Sequence, residues 1–370
     1  MRASFTLLAS AAMMAGSVAA TYYSQNGAIL GGFPNPSGDQ LRQIEDRADG
    51  TPSNAPPRPS LNESSVPIFQ LINYNENFEV AFFASLINNI TADLPGYKLE
   101  PARKKEILEI LDTVLAQEQL HAIDAATVLN HFQKFQPQPC SYFFPTVNVI
   151  EAFAFADRFT SLVLGTLQDG AQGLALNGDA GPIRDVSSVI GQEGQQSGFY
   201  RIILKKKPSE KPFLTTSVGP FLYSWVTRWV VPNSCPFSLE QIPLPIFPVL
   251  QTHVGAGIGY GLEVEAKNQV ITFYATLSQQ YTGDLWVTYL SGLLLPISKK
   301  AQNVRWEGAK VTVDAEFPFE EYLMYGLTVA ALTTKEGFGS AGEVVAATLA
   351  APGLIQVDDE VASFDDLKFL

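Results

Sequence analysis

Histidine and cysteine are scarce in this chain. Three His and two Cys occur in 370 residues, and no Cys-x-x-Cys or His-Glu-x-x-His pair is among them. That leaves out the thiol-rich and protease-type metal motifs. There is no nucleophile elbow and no phosphate loop, and Gly255-Ala-Gly-Ile-Gly259 lacks the following helix that a dinucleotide site needs. Positive charge is short as well: 24 Lys and Arg stand against 37 Asp and Glu, for a net charge of -13. With no long basic run to offset it, this balance argues against nucleic acid or an anionic membrane as partner. Long apolar runs are missing beyond the N-terminus. The best, residues 152–167, is broken by Asp157 and Arg158, and residues 365–370 offer no hydrophobic tail. Neither a membrane span nor a lipid anchor is expected.

What is present begins with a secretory signal. Arg2, the apolar stretch 5–15 and the small residues Ser17-Val18-Ala19-Ala20 predict cleavage after Ala20. The protein is therefore expected to be secreted, extracellular or in the cell wall. In an oxidising compartment an even pair of cysteines predicts a Cys140–Cys235 disulfide. Asn62-Glu63-Ser64 and Asn89-Ile90-Thr91 match the glycosylation acceptor pattern. The length predicts two domains rather than one.

Taken in order, residues 21–65 are rich in Gly, Pro, Asn and Ser and predict an extended, flexible arm. Four antiparallel helices follow. The first starts near Val66, with Ser65 as N-cap and Pro67 in its first turn, and stops at Asp93, Pro95 and Gly96. The second runs from Pro101 to about Gln133, ahead of Gln136-Pro137-Gln138-Pro139. The third covers about 147–167 and is followed by a Gly-rich loop at 169–181. The fourth opens at Pro182 and ends at Lys205-Lys206-Lys207.

Between 208 and 248 a Pro-rich connector carries Trp225 and Trp229 and is expected to pack on the helices. Beyond it the hydrophobic period becomes two. Strands are predicted at 254–265, 270–277, 285–290, 311–317, 326–333 and 343–349. The fold class is thus α+β and multidomain. A four-helix bundle at 66–207 precedes an antiparallel β-sandwich at 249–355, and an acidic tail occupies 356–370.

The chemistry sits on the second helix. Ile107, Leu111, Val114, Glu118, His121, Ala125, Val128 and Phe132 share one face, apolar except at Glu118 and His121. A carboxylate and an imidazole spaced i, i+3 lie side by side. Burying Glu is costly unless something pairs with it. The other helices repeat the interruption, with Glu79 on the first and Glu193 with Gln196 on the fourth. On the third, Glu151 and Asp157 compete for the interior. An inward Glu-x-x-His is a ligand pair in some bundle metal sites, and carboxylate with imidazole suits iron or manganese. The plainer reading is a buried, hydrogen-bonded polar core that fixes the helices' register and binds no metal. His131 reads as a helix-end surface residue and His253 as a linker residue. Trp225, Trp229, Trp286 and Trp306 read as core aromatics rather than sugar platforms.

Residues 73–83 (NYNENFEVAFF), Glu118-Gln-Leu-His121 and residues 190–201 (IGQEGQQSGFYR) resemble the secreted ferritin-like proteins of fungi. These are described as stress-response or late-sexual-development proteins, and plant desiccation-related proteins look like relatives. The resemblance spans roughly residues 66–207 and implies a ferritin-like bundle. Three departures stand out. Phe82 occupies the place of a second acid on the first helix, Gln196 replaces the His that would complete Glu-x-x-His, and the third helix has Asp157 nearer than Glu151 to the family's register. The site set is therefore Glu79, Glu118, His121 and Glu193, with Gln196 and Asp157 at its edge. It is enough for one metal and marginal for two. Three functions follow from these readings: a non-enzymatic stress or developmental protein with a reduced di-metal-type core, an iron- or manganese-binding oxidoreductase-like protein, or a protein that binds cell-wall polysaccharide or a partner through its β-sandwich.

Overall fold

The computed structural model of the chain describes residues 21–23, 31–56, 58–252 and 261–357. The signal at 1–20, His253, the glycine run at 255–259 and residues 358–370 of the acidic tail lie outside the described residues. Helices fill the N-terminal half, and mostly antiparallel sheets fill the C-terminal half. Among the described residues, no helix is long and apolar enough to cross a membrane.

The first helix lies within the stretch expected to be a flexible arm. Helix α1 (Gly38–Ala48) is started by a capping box: the Ser37 hydroxyl accepts from the Gln40 amide, and the Gln40 side chain accepts from the Ser37 N–H. Ile44 and Ala48 then pack on Ala116 of the long second helix of the core, and Arg47 reaches Asp112 and Gln119 at 2.8 and 2.9 Å.

Four long helices form the body: α2 (Val66–Thr91), α3 (Pro101–His131), α4 (Val149–Leu176) and α5 (Ile183–Ile203). The closest packing is of α2 on α3 and of α4 on α5. Pro67 and Pro101 sit in first turns, where a missing N–H costs nothing. Helix α4 runs nine residues past the predicted end, through Gly170 and Gly173. Those glycines face Ile68, where a Cβ would come within 3.2 and 3.1 Å. They serve close helix contact rather than a loop. Glu151 caps α4, accepting from the Val147 N–H and the Asn148 amide, so it does not face the interior.

The connector contains a further helix, α6 (Gly219–Thr227), which packs on α2 and α4. Trp225 and Trp229 are buried there against Phe155, and Phe78 meets Trp225 edge-on. The pair β1 (Thr21–Tyr23) and β2 (Tyr142–Phe144) lies beside α2. A disulfide joins Cys140 to Cys235, closing a loop of 95 residues.

In the C-terminal half one sheet has four strands, ordered β3 (Gln251–Thr252), β5 (Gln269–Thr276), β9 (Lys310–Phe317), β8 (Gln302–Glu307). The other has five, ordered β4 (Leu262–Glu263), β11 (Thr348–Val357), β10 (Gly326–Thr333), β6 (Trp286–Ser291), β7 (Ile297–Lys300). All pairs are antiparallel except β11 with β4. Ile271 and Phe273 of the first sheet share a core with Val287, Tyr289, Leu332 and Ile355 of the second. The second sheet's other face, carrying Leu290, Leu327, Val329 and Leu354, joins the helical core. Strand β10 is therefore buried at every position. The predicted strand at 343–349 is instead α8 (Ala341–Val345), capped by Ser340, followed by the start of β11; the short α7 (Phe319–Tyr322) precedes β10.

Neither acceptor asparagine is a free surface side chain. Asn89 is buried within α2, which leaves its motif without access in the folded chain. Asn62 is exposed, and its side chain caps a short turn and donates to the Asn177 carbonyl.

Candidate metal centre

Helix register places the polar residues. On α2, Asn73 donates to the Ala122 carbonyl of α3 at 2.8 Å, and Asn77 donates to the Pro137 carbonyl at 3.3 Å. The first bond fixes α2 against α3 about one turn before Glu76, and the second ties the residue after Glu76 to the segment that follows α3. On the far side, Phe82 packs against Phe144, Phe155 and Phe159. Phe82 therefore belongs to the aromatic core and never competes for the polar face.

One ligand atom each from Glu76, Glu118, His121 and Glu193 lies within 4.8 Å of every other. Two ligands opposite one another on an octahedral ion sit about 4.2 Å apart when bonds are about 2.1 Å. A slight closure would accommodate an ion. The His121 Nδ1 stands 2.9 Å from Glu118, 3.8 Å from Glu76 and 3.9 Å from Glu193. All three carboxylates are fully buried, and His121 retains 14% side-chain exposure.

The carboxylates are under-satisfied. Both oxygens of Glu76 and both of Glu193 have no hydrogen-bond partner, and Glu79 has one such oxygen. A buried carboxylate without donors is costly. A cation would supply what the protein atoms do not, so the residues fit a bound metal. The donor set, hard carboxylate oxygens with one imidazole, suits iron or manganese.

Electrostatics point the same way. Burial pushes Glu76 up to about 7, with His121 opposing the rise. Burial and the neighbouring carboxylates hold Glu79 and Glu193 well above the usual range. Burial works to lower His121, but the Glu118 and Glu76 carboxylates overcome it and raise the imidazole well above its ordinary value. Without a cation the centre holds protons in its place.

The sequence-derived residues are not all brought together. Glu118, His121 and Glu193 converge. Glu79 lies beside them, with one oxygen taking the Asn75 amide at 2.7 Å. Gln196 meets the centre through its amide N–H, which donates to Glu118 at 2.7 Å, while its oxygen accepts from Tyr200. It orients Glu118 and presents no oxygen to an ion. Asp157 is not in the group: it takes the Ser197 hydroxyl and pairs with Arg201 at 3.3 Å. Glu76 is the candidate ligand that sequence reasoning missed. Ile68, Ile72, Glu76, Glu79 step by four, four and three, and that run was the available signal.

Two cavities reach Glu76. One, of about 350 Å³, is lined also by His121, Asp124 and Asp185. The other, of about 260 Å³, is lined by Asn75 and by apolar residues such as Ile72, Val163 and Leu222. The buried centre thus adjoins two clefts, of which the first carries acids among apolar walls.

No protein-family model matches the chain, and no curated protein matches it.

Proposed function

We propose that this chain is a secreted metal-binding protein of ferritin-like type, holding a divalent iron or manganese ion between α2, α3 and α5. In this reading α2 to α5 form a four-helix bundle and the two sheets form a β-sandwich. The observation that carries it is the convergence of Glu76, Glu118, His121 and Glu193 with the Glu76 and Glu193 oxygens left without donors. A structural polar core would pair those oxygens, because each unpaired buried group costs about 1–3 kcal/mol. The resemblance of residues 73–83 and 190–201 to the fungal ferritin-like proteins supports secretion and a place in stress response or sexual development. The disulfide is in keeping with an oxidising compartment.

Glu76, Glu118, Glu193 and the His121 Nδ1 would hold the ion. Glu79 stands by as an additional carboxylate, and Gln196 keeps Glu118 turned inward. Bound iron or manganese would supply one-electron redox and Lewis-acid chemistry. The chain's own part is to exclude bulk water, orient the ligands and carry the displaced protons. Elemental analysis of protein purified without affinity metals tests this. About one iron or manganese per chain is expected, lost in Glu118→Ala. Neither metal in the wild-type chain, even under excess, would leave the structural core as the better reading.

A second reading keeps the β half as a docking module. Leu293, Leu294 and Leu295, in the turn between β6 and β7, are 61%, 48% and 67% exposed. Three exposed leucines in a row favour an apolar protein partner over a polysaccharide. Changing all three to Ser should abolish co-purification of such a partner without altering metal content.

A further inference from the structure

We propose that Asp124 and Asp185 form an outer cation-binding site that captures the metal and passes it inward; this rests on the metal-binding reading of the buried centre. The first cleft is about 350 Å³, and its apolar walls carry Asp185, Asp124, His121 and Glu76. These residues make a graded series from solvent inward. Asp185 is exposed, Asp124 and His121 are half-buried, and Glu76 is fully buried. Helix geometry sets the order. Asp124 lies one turn beyond His121 on α3, and Asp185 lies in the first turn of α5, two turns before Glu193.

The two aspartates are not simply a pair of acids on a surface. They line the same cleft from two helices, Asp124 from α3 and Asp185 from α5. The wall behind them holds Glu76, whose two oxygens are buried and without partners. An unpartnered carboxylate at the inner end of an acidic cleft gives a cation somewhere to go. The remaining polar lining, Thr51, Ser53, Gln117, Ser188 and Gln192, is neutral. The opposing charges are His121, whose imidazole the Glu118 and Glu76 carboxylates raise, and Arg58, whose guanidinium feels Asp185, Asp179 and Asp124. Clefts of one sign with low-dielectric walls concentrate counter-ions and raise capture rates by about 10- to 1,000-fold.

The test is the rate of Co²⁺ loading into the full-length, metal-stripped chain. Loading is stopped at timed intervals with excess chelator and bound metal is counted. Asp124→Asn with Asp185→Asn keeps the shape of the pair while removing its charge. This double variant should load at least tenfold more slowly and reach the same final occupancy. The exposed Asp185→Asn alone should load severalfold more slowly; being a surface change, it keeps the test open should the double variant fold poorly. Arg58→Gln should load faster, an effect of opposite sign that a folding defect would not produce. Added salt should slow the wild-type chain more than the double variant. If Asp185→Asn and the double variant load at the wild-type rate, the pair is only a proton-sharing clamp between α3 and α5, and the proposal falls. If the wild-type chain takes up no Co²⁺ at equilibrium, the buried centre itself is refuted, and the proposal with it.

Discussion

Gln196 donates its amide to Glu118 at 2.7 Å and accepts the Tyr200 phenol at 3.1 Å. It occupies the place where a Glu-x-x-His pair on α5 would put an imidazole, and it works as a clamp. Gln196→Leu leaves Glu118 and Tyr200 each short of a partner in a buried setting. It should destabilise the metal-free chain by about 1–3 kcal/mol, seen as a lower midpoint in denaturant unfolding. Gln196→His adds a stronger ligand beside Glu193 and should tighten Mn²⁺ or Co²⁺ binding in a competition titration. Unchanged affinity in that variant would mean the new imidazole only replaces the clamp.

Removing Glu76 should separate metal binding from folding. In the metal-free chain Glu76→Gln takes one carboxylate out of a crowded, donor-poor centre, so thermal stability near neutral pH should rise. The same change removes a ligand, so added Mn²⁺ should no longer raise the melting temperature. A variant that loses stability while keeping its Mn²⁺ response would place the ion elsewhere.

How much of this was legible differs by residue. Glu118 and His121 could be found because α3 is amphipathic and an acid on its apolar stripe is conspicuous. Glu76 could not be found as easily, because α2 is buried nearly all round. Any face drawn through it looks apolar, and the face through Phe82 and Leu86 competes with the one through Ile72 and Glu76. Strand β10 stood out by its apolar, β-branched run. Strand β8 did not, since it is an edge strand exposed at five of six positions and has no alternation to detect. Helix α8 was mistaken for a strand because a one-turn helix capped by Ser340 has too few residues for its period to show. The Asp157–Arg201 pair depended on tertiary neighbours such as Glu210, which no local pattern reveals.

The metal-free and metal-loaded forms should respond to pH in opposite directions. Folding raises Glu76 from 4.5 to about 7. Glu79 and Glu193 shift the same way, and Asp124 is raised from 3.8 to about 7. The folded chain therefore binds more protons than the unfolded one between about pH 4 and 7, so its stability falls as pH rises through that window. His121, also raised, has the same sign. Metal binding needs deprotonated ligands, so the stabilisation by Mn²⁺ should grow over the same range. Melting temperatures measured from pH 4.5 to 8, with and without Mn²⁺, check both slopes.

Denatured, unreduced protein should show no free thiol, because Cys140 and Cys235 are joined. Closing a loop of 95 residues restricts the unfolded chain, worth about 4–5 kcal/mol in the chain-entropy account. Cys140→Ser with Cys235→Ser should lower the unfolding free energy by a comparable amount in denaturant titration. Both cysteines pack on the helical core, so their loss should spare the sheets' own packing.

The two halves should not come apart cleanly, whatever the change of composition near residue 208 suggests. The five-stranded sheet is buried on both faces. Val287, Tyr289 and Leu332 face the other sheet, while Leu290, Leu327, Val329 and Leu354 belong to the same core as Phe78, Phe155 and Trp225. A polar network crosses the same boundary. Glu210 pairs with Arg201 of α5 at 3.2 Å, and it accepts from Gln356 of β11 and from the Leu327 N–H of β10. Gly165 of α4 lies so close to the chain at Thr215 that a Cβ there would run into the Thr215 carbonyl. A fragment covering residues 31–248 would expose the helical side of that core and strand Glu210 and Arg201 with fewer partners. It should bind a hydrophobic dye and melt without a sharp transition, while the full chain melts in one cooperative step. A fragment that melted as sharply and at the same temperature as the full chain would show the helical half to be an independent unit.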